Sequence, residues 1–589
     1  MPREEELISQ MFLKVGRADV SEDIMDSLIS MEVDDNLNLP DTFTIHVRDP
    51  QLKWLDSDIF ALGKPVEISV KGGNGTAKLM EGEITAVEPR FNRNADPTVV
   101  VRGYDRCHRL NREKKTCSFN QMTDSDIATK IGQKVGLKPR ADNTREVHEY
   151  VLQDNQTDWE FLWDRAQRIG FRVFVEGDEL HFRKVPQSNG KMPVLDWGDN
   201  LIEFNPRLSS ARQVTEVIVR GWDPREKKEI VGRATKAEDT PEIEDRKHRE
   251  QGGDAAQKAF GVGGKEIIED RPVATQAEAD ALAQSICDEI GQDFITADGV
   301  CSGNPDVQAG AMIELKSVGE RFSGKYRVSH ALHRYEAEGY TTEFTIGGRH
   351  GNTLGELLAP KQVASHSPMV GTVTNNSDPE GLHRVKVQLP SRGDQELDWA
   401  RLVAPGAGMD KGLTWLPDVG DEVLVVFEHE DIHRPFVLGG VWNRQDKGRV
   451  ASKKLIDGGK TTQVRLETAG NNYLVIFDES GKSSLEIGSD PAKIVLDQNG
   501  KSVKITADAK VTVEAPAIEL VANATHPVVF GDQLLTYLNQ LVTMFNTHMH
   551  PGQTVIVVPP AAIPVTPMPP APPFPPATPA LLSMKVKSG

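Results

Sequence analysis

Residues 485–520 read LEIGSDPAKIVLDQNGKSVKITADAKVTVEAPAIEL. Five apolar-x-apolar pairs run through this stretch: Leu485/Ile487, Ile494/Leu496, Val503/Ile505, Val511/Val513 and Ile518/Leu520. They start at intervals of 9, 9, 8 and 7 residues. Turn formers lie between them, Gly488-Ser489-Asp490-Pro491, then Asn499-Gly500, then Asp508. Short strands at so constant a period mark a β-helix or β-prism. Each strand turns only two apolar side chains to one face, a layer too thin to be a core for one chain. Ten such residues in each of three wound copies give, at roughly 1.5–3 kcal/mol apiece, on the order of 45–90 kcal/mol gross before chain entropy is subtracted. Three-fold winding also removes the open sheet edges. The spacing predicts a trimeric β-prism, against the alternatives of a monomeric solenoid or a flat sheet packed on the preceding domain.

Upstream, residues 366–445 are almost purely strand-like. Val385, Val387 and Leu389 alternate with polar residues, Pro417-Asp418-Val419-Gly420-Asp421 turns into Glu422-Val423-Leu424-Val425-Val426-Phe427, and Arg434 to Trp442 closes the segment. Several strands with glycine punctuation in about 80 residues suit an OB-fold. Residues 1–365 are mixed, an α+β region. Phe43/Ile45/Val47 and Val66/Ile68/Val70 alternate as half-buried strands do. Helices are expected from Asp124 to Val135, from Asp158 to Ile169, and from Gln276 to Ile290, with a hairpin over 171–182. Residues 233–272 are charged and poor in large apolar residues, which predicts a solvated insertion or long loop.

Downstream, Leu534, Leu535, Leu538, Leu541, Val542 and Phe545 fall at helical spacing, a stripe suited to a three-helix coil or to packing on its own chain. His548-Met549-His550 follows. In a strand both imidazoles project to one side. Three chains about an axis would then bring six nitrogens to one point, a donor set suited to Fe(II) or another transition ion; solvent-exposed or packed histidines are the alternative. From Pro551 the chain is a proline-rich tail, with 12 of its last 39 residues proline. Such a tail favours polyproline II, as a flexible end or as a docking arm.

The chain has 68 basic and 87 acidic residues, a formal charge of −19, which opposes binding to nucleic acid through bulk charge. Its four cysteines, Cys107, Cys117, Cys287 and Cys301, include no CxxC pair and predict free thiols. No basic-then-apolar leader opens the sequence, so synthesis in the cytoplasm without Sec-type export is expected. There is no Walker loop, GxSxG or HExxH. His429, Asp431 and His433 read as turn residues, and no enzyme is expected.

Several of these pieces resemble the valine-glycine-repeat (VgrG-type) and phage baseplate hub–spike family. They are Gly420-Asp421-Glu422-Val423-x-Val425-x-Phe427 with Arg434-Pro435-x-Val437-x-Gly439; Gly103-Tyr104-Asp105; Gln156-x-Asp158-Trp159-x-Phe161-Leu162; and Phe322-Ser323-Gly324-x-Tyr326-x-Val328 with His333 and Tyr335. The resemblance implies a mainly β chain: an α+β hub of two barrel subdomains with helical insertions (1–365), an OB-fold (366–445), an intertwined trimeric β-prism needle (446–530), a tip helix with the HxH pair (531–550) and the tail (551–589). It implies a homotrimeric central spike of a contractile injection system, in a phage-tail-like particle fired extracellularly. The hub would meet the six-fold inner tube and baseplate proteins, and the spike would meet the target membrane only in passing. A PAAR-type tip protein, and cargo or effector on the tail, are further implied partners. Some phage needle tips resemble the HxH arrangement, which would make His548 and His550 ligands of an axial iron. Other readings are an effector-carrying secreted spike and a metal-dependent hydrolase using those two histidines.

Overall fold

The computed structural model describes residues 10–16, 18–37, 39–72, 75–184, 192–238, 240–243, 252–347, 366–393, 395–522, 525–529, 531–547 and 582–588. The chain divides into two compact units, 1–446 and 447–589. It is mainly β with an α+β hub, as its alternating patterns require.

In the first unit one fourteen-stranded sheet runs through the hub. Phe43, Ile45 and Val47 on strand Thr42–Arg48 are buried, and so are Val66, Ile68 and Val70. Strand Leu28–Asn36 pairs antiparallel with Thr42–Arg48 on one side and with Gly324–Glu336 on the other, from His330 opposite Asn36 to Tyr335 opposite Met31. This pairing joins the two ends of the hub sequence into one sheet. It carries two apolar cores, one around Met31, Ile45, Ile68 and Val101, the other around Ile295, Ile313, Tyr326 and Phe344.

Two helices stand between these ends. They span Asp124–Lys134 and Asp158–Arg168, but their N-caps are the preceding threonines. Thr123 and Thr157 accept from the backbone N–H of Asp126 and Glu160, whose carboxylates accept from the threonine N–H in return. These reciprocal bonds satisfy donors that a helix start leaves open. Hairpin Phe171–Glu176/Glu179–Lys184 follows, as its alternation predicts. The charged stretch 233–272 differs from its expected form. It contains helix Gly252–Phe260, and strand Lys265–Ile268 pairs parallel with Glu216–Asp223. Small residues build this helix: Gly253 and Ala256 are buried, and a Cβ on Gly253 would lie 2.0 Å from the Val214 carbonyl oxygen. Helix Gln276–Gln292 covers that three-stranded sheet with Ala279, Leu282, Ala283 and Cys287. All four cysteines are free thiols.

The OB domain is a six-stranded sheet in the order 395–396, 386–389, 369–375, 422–427, 435–440, 401–402. Its core holds Val373, Val385, Val387, Leu397, Val423, Val425 and Val437. One more member, Leu152, comes from hub strand Val147–Thr157. On the same strand Tyr150 Oη donates to the Glu396 carbonyl at 2.7 Å, and the Leu152 N–H donates to His433 Nε2 at 2.9 Å.

The second unit contains a five-stranded antiparallel meander over 463–507, helix Gly531–Thr547, and a small sheet near the end of the chain. In that sheet the last strand, Leu582–Ser588, lies between Ile518–Glu519 and His526–Val529. Among the described residues no helix is long and apolar enough to cross a membrane.

Candidate functional site

While Ile518 lies in the small sheet, the meander holds three of the five predicted pairs, Leu485/Ile487, Ile494/Leu496 and Val503/Ile505. Its strands are Gln463–Glu467, Tyr473–Glu479, Lys482–Ser489, Ala492–Asp497 and Ser502–Ala507. Gly481 with φ +79° and Lys501 with φ +47° sit in two of its turns, where a left-handed residue lets a tight reversal close. Successive rungs pair within one chain, a register that spacing alone does not reveal. Leu474 lies opposite Ile487, and Ile476 opposite Leu485. Leu485 in turn lies opposite Leu496, and Ile487 opposite Ile494. Ile494 then faces Ile505, and Leu496 faces Val503. With Val464 opposite Ile476 and Leu466 opposite Leu474, the pattern extends two strands upstream of the repeat.

Because side chains alternate across a strand, these ten residues share one face. That face is open. Val464 is 61% exposed, Ile476 45%, Leu496 40% and Ile505 56%. The opposite face is mixed: it carries the pairs Arg465–Glu467 and Lys493–Glu486 and the Phe477 ring, 3.8 Å from Lys482 Nζ, with Val475 buried opposite Arg465 and Glu486. A contiguous apolar face of this extent on a soluble protein marks an interaction surface.

The fourth rung differs. Val511 and Val513 are exposed and form no strand in the single chain. Pro516 just beyond them carries no N–H to extend a ladder. The helix expected downstream forms as Gly531–Thr547, with Leu534, Leu535, Leu538, Leu541, Val542 and Phe545 all exposed. Leu534, Leu538, Leu541 and Phe545 are spaced 4, 3 and 4 residues apart, the alternation of a coiled-coil seam. His548 and His550 lie outside the described residues. Among the described residues no group of three or more His, Cys, Asp or Glu is placed to hold a metal ion.

His429, Asp431 and His433 do form a turn, with His429 at φ +51°. Sequence reasoning missed the further role of His433. Its Nδ1 lies 2.8 Å from Asp431 Oδ1, and its Nε2 meets the hub strand at Leu152. The partner residue is far away in the chain, so no local signal marks it.

The family model of the Alg8 N-terminal domain matches residues 15–337. That of the type VI secretion system/phage-baseplate injector OB domain matches residues 369–442. The actin cross-linking toxin VgrG1 of Vibrio cholerae is 26% identical over 212 residues, 33% of this chain and 18% of that protein. The matched region thus spans less than a fifth of the length of that curated relative. Among solved structures, a Francisella PdpA–VgrG complex in its lidded form shares the fold at TM-score 0.51 and 7% identity, over 85% of this chain and 79% of that one. An Escherichia coli type VI secretion component, described as similar to the T4 bacteriophage tail proteins gp27 and gp5, aligns at TM-score 0.45 and 15% identity. It covers 73% of this chain and 99% of its own.

Proposed function

Because this chain belongs to the Alg8 N-terminal domain family and is a hub–spike protein of the VgrG and phage-baseplate type, we propose that it is the homotrimeric central spike of a contractile injection system. The observation that carries this reading is the open apolar face of the five-stranded sheet, ten cross-strand-paired residues of which most are exposed. Its residues are about half exposed, so left in water it forfeits roughly 1 kcal/mol per residue. Three copies around an axis turn those faces toward each other. The exposed tip-helix seam continues the same association as a three-helix coil. The function is mechanical: the hub adapts a three-fold spike to a six-fold tube, the needle bears a PAAR-type tip protein, and contraction of a sheath drives it through the target envelope. Assembly then takes place in the producing cell, and the particle acts outside it.

Native mass spectrometry tests this directly. The expected species is three times the 64.9 kDa chain mass. Ile476→Asp, which places a charge in the middle of the face, is expected to shift the population to monomer; a wild-type monomer would end the reading. An axial iron held by His548 and His550 rests on the sequence. Elemental analysis is expected to give a third of an equivalent of metal per chain, lost in His548→Ala, and metal-free wild-type trimer rejects the pin.

A further inference from the structure

The first unit contains a seam between hub and OB domain that carries two histidines. His433, described above, lies 2.9 Å from the Leu152 nitrogen and 3.2 Å from its carbonyl oxygen. The closer contact, from the N–H, uses Nε2 as an acceptor and leaves the ring proton on Nδ1, against Asp431. His366 is placed differently. It leads into the first OB strand, Met369–Asn375. Its Nδ1 lies 2.7 Å from the Glu430 carbonyl oxygen, and its Nε2 lies 2.9 Å from Asp154 Oδ2 on the hub strand. Both partners are pure acceptors. A neutral imidazole has one N–H and one lone pair, so it would point that lone pair at an oxygen within hydrogen-bond distance. Only the doubly protonated ring satisfies both contacts.

The surroundings favour the charge. Asp154 has a side chain only 5% exposed, and its Oδ1 is buried without a hydrogen-bond partner among the described residues. The other cation near it is Arg392, whose Nη1 is 3.6 Å from Asp154 Oδ2. The Phe427 ring meets His366 edge-on at 5.9 Å. The titratable and charged groups around the clasp are therefore Asp154 from the hub strand, Arg392 from the turn after strand Lys386–Leu389, and Glu430, Asp431 and His433 from the turn before strand Pro435–Gly440. The hydrogen bond to Asp154 holds the His366 ring above its ordinary value, against burial and Arg392, which pull the other way.

We propose that His366 stands in this fold as an imidazolium that clasps the OB domain to the hub, and that hub–OB docking loosens when it loses its second proton. The sign follows from linkage. A histidine whose folded value is raised contributes stability that is whole below its ordinary 6.5 and is lost as pH climbs through the raised value. Deprotonation leaves the buried Asp154 carboxylate, among the described residues, with the more distant Arg392 for a cation, and turns a lone pair toward an oxygen.

Two measurements on the full-length protein test this. Imidazole C2 hydrogen–deuterium exchange, read by mass spectrometry on the peptide containing residue 366, gives the titration midpoint of that ring alone. The expected midpoint lies above 6.5, and one at or below 6.5 overturns the proposal. Backbone amide exchange in peptides covering 150–154 and 428–434 compares wild type with His366→Gln, which keeps an N–H for Asp154 but no charge. Wild type is expected to be better protected on the acid side of the midpoint, and the two are expected to converge on the alkaline side. An equal difference at both ends, or none at either, makes the ring a neutral spacer and overturns the clasp. If the variant does not fold, the wild-type titration decides alone.

Discussion

Asp378 shows how much one side chain organises in the OB domain. Its carboxylate accepts the backbone N–H groups of Glu380, Leu382 and Arg384 and a two-pronged contact from the Arg384 guanidinium, at 3.0 and 2.8 Å. The side chain is 3% exposed, and these partners hold the carboxyl well below the ordinary aspartate value. Asp378→Ala removes the acceptor of three backbone N–H groups and leaves the Arg384 guanidinium with Glu380 alone at 2.9 Å, a loss of about 2 kcal/mol. A group with a depressed value stabilises above its unfolded pKa and stops doing so as acid protonates it. The difference in melting temperature between wild type and variant is therefore expected to be full near neutral pH and to close as the pH falls below 3.8. A difference independent of pH would mean that packing, not charge, accounts for the loss. Gly103, part of the Gly-Tyr-Asp motif, is explained at the same scale. A Cβ there would sit 2.2 Å from the Glu83 carbonyl oxygen and 2.3 Å from the Phe43 ring, so neither neighbour leaves room for a side chain.

At the scale of elements, the final strand changes how the tail is understood. Leu582–Ser588 is the middle strand of its small sheet, parallel to one neighbour and antiparallel to the other. Ending the chain at residue 581 unpairs Ile518–Glu519 and His526–Val529 together. Limited proteolysis of that truncated protein is expected to cut within 518–529, where the full chain resists, while the five-stranded sheet over 463–507 persists. An unchanged digestion pattern would show that the strand contributes nothing to the sheet. The needle strands were legible because apolar pairs at a fixed interval leave few other structures open. The helix starts were nearly so. Both helices begin where expected, at Asp124 and Asp158; Thr123-x-x-Asp126 and Thr157-x-x-Glu160 are the capping-box signatures that place each cap one residue earlier. Helix Gly252–Phe260 escaped notice because its buried residues are glycine and alanine, which leave no apolar period to read.

Across the whole molecule, local patterns marked the OB strands and the apolar repeat, and what joins distant parts of the first unit did not show in them. Asp154 and His366 are 212 residues apart, and each looks ordinary in its own neighbourhood. The pairing of strand Leu28–Asn36 with Gly324–Glu336 is equally silent in either sequence alone. Long-range register depends on which apolar faces are left once each element has folded, and that is settled only when all of them are present.

Leu152 has a practical consequence for anyone recombining these proteins. The OB barrel fills its interior with a side chain borrowed from a strand more than two hundred positions earlier. A chimera that grafts residues 366–445 onto a foreign hub therefore transplants a core with a hole in it, unless the donor's 147–157 strand travels too.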